Sequence, residues 1–584
     1  MKGYYNKLLR INLSTKTISE ERIPDGVLIN TLGGKGLAGH FMLEEIKKDI
    51  DPLGPENKLI FITGPVTGTK VWSNSRYGVF SKSPLTGIFG ESYSGGKVAL
   101  QMKSTGYDVI IIEGKSELPV YVEISDQEVK IHKASHLWGK DTYTTEDQMK
   151  NEINVPTAEP IVIGPAGENL VSFALIENNY WRSAGRGGMG ALLGSKKVKG
   201  IIFHGKSKAE IHDPDLLITI NNKIAQHIKL SSGIVQTYRN HGTPMQVSIA
   251  NTLGFFPTQS WNRGTFNNWQ KLSADYMKEH FDIKSHACPH CFLSCGKIST
   301  VKKGKYEGMT IEGPEYETIY AVGGLNCLNS LEEVAYINDL CDRLGMDTIT
   351  AGNITAIAVE AYNKGKTDFV IDYGQVEKMA ELLKLVAYQE GIGRIFSKGV
   401  KEAAKILGLS DSAVHVKGME PAGFDPRVLK GMGLAYAISS RGACHLRGTF
   451  YKAEISGEIT PDSIEGKAKL LIDYEDRAAL FDSLILCRFY RDFIKWDELK
   501  VLIEATTGKQ YSKDGLKEMA NLITTQTREF NLREGITHKD DTLPPKFFKP
   551  LKDSGKVVGK KELNNMIKDY YKLRGWDKYG IPPR

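Results

Sequence analysis

Cys288-Pro-His-Cys291-Phe-Leu-Ser-Cys295 brings three thiols into eight residues, with the spacing C-x2-C-x3-C. Thiolates this close together can converge on one soft metal centre. An iron–sulfur cluster of the four-iron type takes four thiolates, so this reading calls for a fourth cysteine from elsewhere in the chain. The remaining cysteines are Cys327, Cys341, Cys444 and Cys487, an odd total of seven in 584 residues, which speaks against a disulfide framework. Two other readings compete. A zinc site could add His286 or His290 to the thiolates, and buried cysteines can be plain small hydrophobes. A radical-SAM cluster would use the reverse order, C-x3-C-x2-C. Cys327, Cys341 and Cys444 read as core.

Outward from this stretch, the composition is that of a globular protein, with 41% hydrophobic and 25% charged residues. The length suggests two to four domains at the ~100–200 residues typical of each. No run approaches the ~18 apolar residues of a membrane span, and Met1–Arg10 has no apolar signal region. The net charge of +7 comes without a long Lys/Arg block or basic tail. That argues against nucleic acid and is compatible with an acidic protein partner. The 59 glycines imply many tight turns or close backbone approaches to a ligand.

Residues 1–208 read as strand-rich. Leu8–Leu13 alternates, Leu59–Thr63 and Val109–Ile112 are continuous apolar runs, and Val120–Ile124 with Val129–Ile131 forms a hairpin. Strands are also expected at Ile161–Ile163 and Val171–Ile176. Residues 209–415 read as mainly helical. A capping box, Ser330-Leu-Glu-Glu333, opens a helix expected to end near Gly345. Further helices are expected over Thr350–Tyr362 and Val376–Tyr388. Residues 416–584 mix Gly-rich turns with helices such as Leu516–Thr527. No internal repeat is visible.

Gly34-Lys-Gly36-Leu-Ala-Gly39 and Gly185-Arg-Gly187-Gly188-Met-Gly190 match G-x-G-x-x-G, but neither has the strand, helix and distant acid of a dinucleotide site. They read as tight turns, as does Ser94-Gly95-Gly96. Asp342-Arg-Leu-Gly345-Met-Asp347 and Asp482-Ser-Leu-Ile-Leu486-Cys487 are laid out in parallel. An Asp carboxylate can accept paired hydrogen bonds from an amino-pyrimidine edge, so two such loops could hold two similar heterocycles. Cys487 ends the second loop and supplies a candidate fourth thiolate.

Taken together, these segments resemble the tungsten-containing aldehyde:ferredoxin oxidoreductase family. The resemblance runs the length of the chain. It includes Gly33-Gly-Lys-Gly-Leu-Ala38, Asp51-Pro-Leu-Gly-Pro-Glu-Asn-Lys58, Lys82-Ser-Pro-Leu-Thr-Gly87, Gly164-Pro-Ala-Gly-Glu168, Ala184-Gly-Arg-Gly-Gly188, Gly313-Pro-Glu-Tyr-Glu317 and Arg441-Gly-Ala-Cys-His-Leu-Arg447, besides the cysteine stretch and the two Asp loops. It implies an α+β fold in three parts: a β-rich N-terminal cofactor-base domain (1–208), then two mainly α-helical domains (209–415 and 416–584). It implies a tungsten bound by two pyranopterins, magnesium bridging their phosphates, and a [4Fe–4S] cluster alongside.

By position, Cys288, Cys291, Cys295 and Cys487 match cluster ligands. Asp342, Gly345, Asp347, Asp482 and Leu486 match pterin-loop residues, and Arg76 matches an Arg between cluster and pterin. Tyr93, Ser94, Gly95, Gly96, Arg182, Ser183, Ala184, Gly185 and Arg447 fall in cofactor-facing segments. The chain departs from the family pattern at Tyr93 (commonly Asn), Ile485 (usually Gly) and Arg447 (a family Lys), which bears on substrate preference. The implied reaction is oxidation of an aldehyde to the carboxylic acid with water as oxygen source, electrons leaving through the cluster to ferredoxin or a ferredoxin-like subunit. The alternative is a same-fold reductase acting on an acid or an aromatic acyl thioester. Glu315 is the candidate general base, with Glu312 and Glu317 as rivals, and His445 is the candidate proton donor. A cytoplasmic protein is expected, as a homodimer or hetero-oligomer.

Overall fold

The computed structural model describes residues 1–583. Its first third is built from twelve strands in two sheets. The first sheet holds β1 (Lys7–Asn12), β2 (Thr17–Arg22), β3 (Leu59–Ile62), β4 (Tyr77–Lys82), β5 (Phe89–Ser94) and β6 (Val109–Glu113) in the order β2-β1-β6-β3-β4-β5. The second holds β7 (Val120–Ile124), β8 (Val129–Lys133), β9 (Glu159–Val162), β10 (Ile176–Asn178), β11 (Arg182–Ala184) and β12 (Val198–Phe203) in the order β8-β7-β12-β9-β10-β11.

The two orders are the same topology used twice. Each sheet starts with an antiparallel hairpin, pairs the hairpin's first strand in parallel with the sheet's last strand, and is otherwise antiparallel. The repeat lies in topology and leaves no internal repeat in the sequence. The duplication lies in strand order, while the side chains differ: β3 is Leu-Ile-Phe-Ile and β9 is Glu-Pro-Ile-Val. The buried strands β3 and β6 are the continuous apolar runs of the sequence, as strands covered on both faces should be.

Two further expectations change. Of Val171–Ile176, only Ile176 belongs to a strand. The Gly34–Gly39 segment, read as a tight turn, opens the helix Gly34–Glu45. Its glycines are needed for close packing: a Cβ on Gly34 would lie 2.0 Å from the Asp482 carbonyl oxygen.

The rest of the chain is mainly helical, interrupted by a three-stranded antiparallel sheet of β13 (Phe281–His286), β14 (Gly296–Val301) and β15 (Thr310–Glu312). The helix Leu331–Leu344 starts where expected, the Ser330 hydroxyl accepting from the Glu333 N–H, and stops at Gly345 in the left-handed region. The helix Thr348–Asn363 is N-capped by Asp347, Val376–Tyr388 has the expected bounds, and Leu516–Thr527 lies within Lys513–Arg533. One hydrophobic core takes in Ala166–Ala174 and Ala191 of the base, runs from Val247 to Leu471 and on to Trp576, and so joins both helical stretches. The helices Lys467–Leu484 and Lys513–Arg533 pack on Gly34–Glu45 and so close the base from the far end of the chain. Among the described residues no helix is long and apolar enough to cross a membrane.

Candidate active site

The duplicated sheets present two equivalent seats. After β3 comes Gly64-Pro65, and after β9 comes Gly164-Pro165. A Cβ on Gly64 would lie 2.0 Å from the Leu484 carbonyl oxygen, and one on Gly164 would lie 2.4 Å from that of Leu344. These carbonyls end the two helices that carry Asp482 and Asp342, so each Asp loop rests on one glycine of one half of the base. Both loops turn through the left-handed region at the same place, Gly345 (φ 77°) and Ile485 (φ 56°). The Ile side chain at Ile485 makes that conformation the costlier of the two.

The four cysteines come together from two directions. Cys288, Cys291 and Cys295 occupy the connection between β13 and β14. Ser73 joins this loop to the second Asp loop: its N–H donates to the His290 carbonyl at 3.1 Å, and its carbonyl accepts from the Cys487 N–H at 3.0 Å. The Gly96 N–H points at Cys288 Sγ at 3.4 Å, and Tyr490 Oη lies 3.5 Å from Cys291 Sγ. Burial pushes the Cys291 and Cys295 thiols up, and neighbouring charge pushes them further, from Cys487 at Cys291 and chiefly from Glu315 at Cys295. Burial opposes the charge of Arg76, but Cys487, Cys288 and Cys295 favour it and leave its pKa raised. Among the described residues no three His, Cys, Asp or Glu side chains converge on a single-ion site. Zinc with its ~2.3 Å bonds to sulfur would need such convergence, whereas a four-iron cluster holds its thiolates at separate irons.

Beside the thiols lie two cavities that share Arg76, His445, Leu446 and Arg488. One, of about 170 Å³, is lined by Ser92, Tyr93, Gly185, Arg186, Ile349, Arg441, Arg447, Asp482 and Leu486 as well. Its wall is a network of buried charge. Arg447 donates to Glu91 at 2.8 Å and to Asp482 at 2.5 Å, and lies 4.9 Å above the Tyr93 ring. Arg488 also reaches Asp482 at 2.5 Å, and Arg186 binds Asp347 and Glu420, each at 2.9 Å. The Nε atoms of Arg441, Arg447 and Arg488 are buried with no partner in the protein. Buried donors are rarely left so. An anionic group placed here would meet unused, charge-assisted donors, so these residues fit a cofactor carrying phosphates and thiolates.

Near the first Asp loop the charge is reversed. Burial holds Asp342 and Glu177 well above ordinary carboxylates, and both Glu177 oxygens lack a partner. Asn338 donates to Asp342 at 2.7 Å. Asp347 is engaged structurally, as the cap of the helix Thr348–Asn363 and the partner of Arg186.

The second cavity, of about 300 Å³, is lined by Glu315, Glu317 and His445 together with Tyr238, Tyr316, Phe424, Tyr451 and Phe489. Glu317 Oε1 lies 3.7 Å from His445 Nε2, and its other oxygen accepts the Gly423 N–H at 3.0 Å. Burial lifts Glu317 to about 8. Burial, then the charges of Arg441, Arg186, Arg447 and Arg491, hold His445 well below the ordinary histidine value. Glu315 is also raised by burial, but its carboxylate is bound by the Thr243 hydroxyl. Glu312 is paired with Arg182 outside this cavity. Ser94 and Gly95 are tied to Asn178, while Ser183 and Ala184 lie in β11. The spacing of charges in the sequence gave no sign of Glu91, Arg186, Arg441 or Arg488. Glu91 and Arg488 lie in no quoted motif, and Arg186 and Arg441 fall in segments of the resemblance without being singled out, because the roles of all four depend on burial.

Thiols beside a cavity of buried cations are suited to holding an anionic redox cofactor, and proteins of similar sequence are oxidoreductases. Two family descriptions cover nearly the whole chain: aldehyde ferredoxin oxidoreductase, N-terminal domain, over residues 8–205, and domains 2 and 3 of the same family over residues 219–584. The chain belongs to the aldehyde ferredoxin oxidoreductase family. It is 36% identical to the tungsten-containing aldehyde ferredoxin oxidoreductase of Thermococcus kodakarensis, over 100% of this chain and 98% of that one. It is 30% identical to the aliphatic sulfonate oxidoreductase, WOR-like subunit, of Pyrococcus furiosus, over 100% and 96%. The active site complex BamBC of benzoyl coenzyme A reductase shares the fold, with a TM-score of 0.84 at 22% identity over 100% of this chain and 96% of that one.

Proposed function

We propose that the protein oxidises an aldehyde to its carboxylic acid, RCHO + H2O → RCOOH + 2 e⁻ + 2 H⁺, at a tungsten bound by two pyranopterins. The electrons pass through a [4Fe–4S] cluster to ferredoxin or a ferredoxin-like subunit. The observation that carries this reading is the Glu317–His445 pair, set in an aromatic cavity that shares Arg76 and Cys487 with the thiol site. Cys288, Cys291, Cys295 and Cys487 would hold the cluster. The arginine-lined cavity would hold the cofactor's anionic groups, with magnesium between its phosphates. Asp342 and Asp482 on their matching seats would each face one pterin. When bound, the tungsten accepts two electrons and polarises the substrate oxygen as a Lewis acid.

The chain's own residues would manage water and protons. Glu317, at about 8, is poised near working pH to take a proton from the water that adds to the aldehyde carbon. His445 stays neutral and can donate one N–H to the substrate oxygen. Phe424 and Tyr451, stacked at 4.0 Å, give the substrate's carbon chain an apolar wall. Glu315, held by Thr243, stands between this cavity and Cys295. We also propose the three-part division at 208/209 and 415/416, and a cytoplasmic location, where the cluster would stay reduced. The test is dye-linked aldehyde oxidation by anaerobically purified protein across aliphatic and aromatic aldehydes. Turnover with aldehydes supports the reading, and reduction of acids or acyl thioesters without aldehyde oxidation would replace it.

A further inference from the structure

Residues 216–274 contain no Asp or Glu, in a stretch that at the chain's average would carry about seven. The cysteine loop and the strands around it, residues 283–306, contain none either. The fold puts these two acid-free segments side by side. The helices Pro214–Leu230 and Ser232–His241 meet at a tip where Leu230 is 85% exposed and Ile234 is 50% exposed. Asn221 of the first helix accepts the Trp72 N–H at 2.9 Å, and Arg239 of the second donates to the Phe292 carbonyl at 2.9 Å. The Trp72 and Phe292 rings meet at a 38° tilt with centroids 3.8 Å apart, next to Cys291 in the chain. Around them Lys70, Lys229, Arg239 and Lys284 are exposed and form no ion pair among the described residues.

We propose that this face, with an apolar helix tip at one end and unpaired cations between it and the cysteine loop, is where an acidic electron-carrying protein docks. Unpaired surface cations raise the encounter rate with an acidic partner, and an exposed Leu–Ile pair supplies the dry centre that a short-lived complex needs. Cys288 and Cys291 are only partly buried here, so the carrier would approach the cluster over the shortest stretch of protein. The inference rests on the proposed reading of the thiols as an electron exit.

The test compares the wild-type holoenzyme with Lys229→Glu, Leu230→Asp and Lys70→Glu, and with Lys561→Glu as a control outside the patch. Binding to a purified bacterial-type two-cluster ferredoxin is measured directly at low and at physiological salt. Turnover is measured with that ferredoxin and with a viologen dye. The expected result is at least tenfold weaker binding and a tenfold higher KM for ferredoxin in the patch variants. Viologen-linked kcat and the control should not change, and the wild-type affinity should fall with salt. Unchanged binding and KM would overturn the proposal. So would a Leu230→Asp variant that merely converts a sedimenting dimer to monomer with ferredoxin binding intact. A wild type without viologen-linked turnover would sink the enzymatic reading, and the binding measurement would still decide the surface.

Discussion

Glu317 and His445 form a pair of opposite perturbation. Burial raises the acid from an ordinary 4.5 to about 8, while burial and four arginines keep the histidine uncharged. If Glu317 is the base, kcat/KM rises with pH through a midpoint near pH 8. Glu317→Gln flattens that limb and lowers activity ~10²–10⁴-fold, the range of a lost general base. Glu315→Gln keeps the limb, which separates the two carboxylates. The sign for stability is opposite. Because the folded-state value lies above the unfolded one, the folded protein retains a proton between those values, and stability is lost as pH rises through about 8. The melting temperature of Glu317→Gln should therefore gain on wild type as pH rises from 5 to 8, read by calorimetry at each pH. The cysteines and His445 were legible from spacing and resemblance. Which carboxylate faces His445 was not, because three Glu residues lie within six positions and only the backbone path after β15 separates them.

Two loops on two glycines are the unit of the site at the level of elements. Gly64→Ala and Gly164→Ala are the same change in corresponding halves of the base, and each Cβ would collide with a helix-ending carbonyl. Their consequences should differ, because Cys487 follows only the loop seated on Gly64. Gly64→Ala is expected to lose iron as well as tungsten, whereas Gly164→Ala is expected to lose tungsten and keep most of its iron, read by plasma mass spectrometry of the purified variants. Equal iron loss would show that the seats do not act separately. Much of the secondary structure was readable. The apolar runs became β3 and β6, the expected hairpin became β7 and β8, and Ser330 and Gly345 bound their helix as expected. The duplication was not readable, because what recurs is strand order and one Gly-Pro step in each half. Side-chain identity, which a search for repeats depends on, has diverged. The helix at Gly34 was hidden for a related reason: glycines that permit a turn also permit a helix to press against a neighbouring backbone.

Across the whole molecule, the last third closes the first. The Phe89 N–H donates to Asn531 Oδ1 at 2.9 Å, and Lys82 pairs with Glu534 at 2.6 Å. Arg574 binds Glu475 and Asp476, each at 2.6 Å, on the helix that leads to Asp482. Removing its charge with Arg574→Met would leave the buried Asp476 unpaired and the half-buried Glu475 with only the Tyr570 hydroxyl, at a cost of about 3–5 kcal/mol. A lower melting temperature together with a lower tungsten content would show that this distant contact supports the site, and full occupancy would show that it does not. The central claim is a tungsten–pterin centre beside a four-thiolate cluster. Its most direct test is the metal content of the anaerobically purified wild type. One tungsten and about four irons per chain are expected. Zinc alone, or iron without tungsten or a pterin in protein that oxidises no aldehyde, would contradict it.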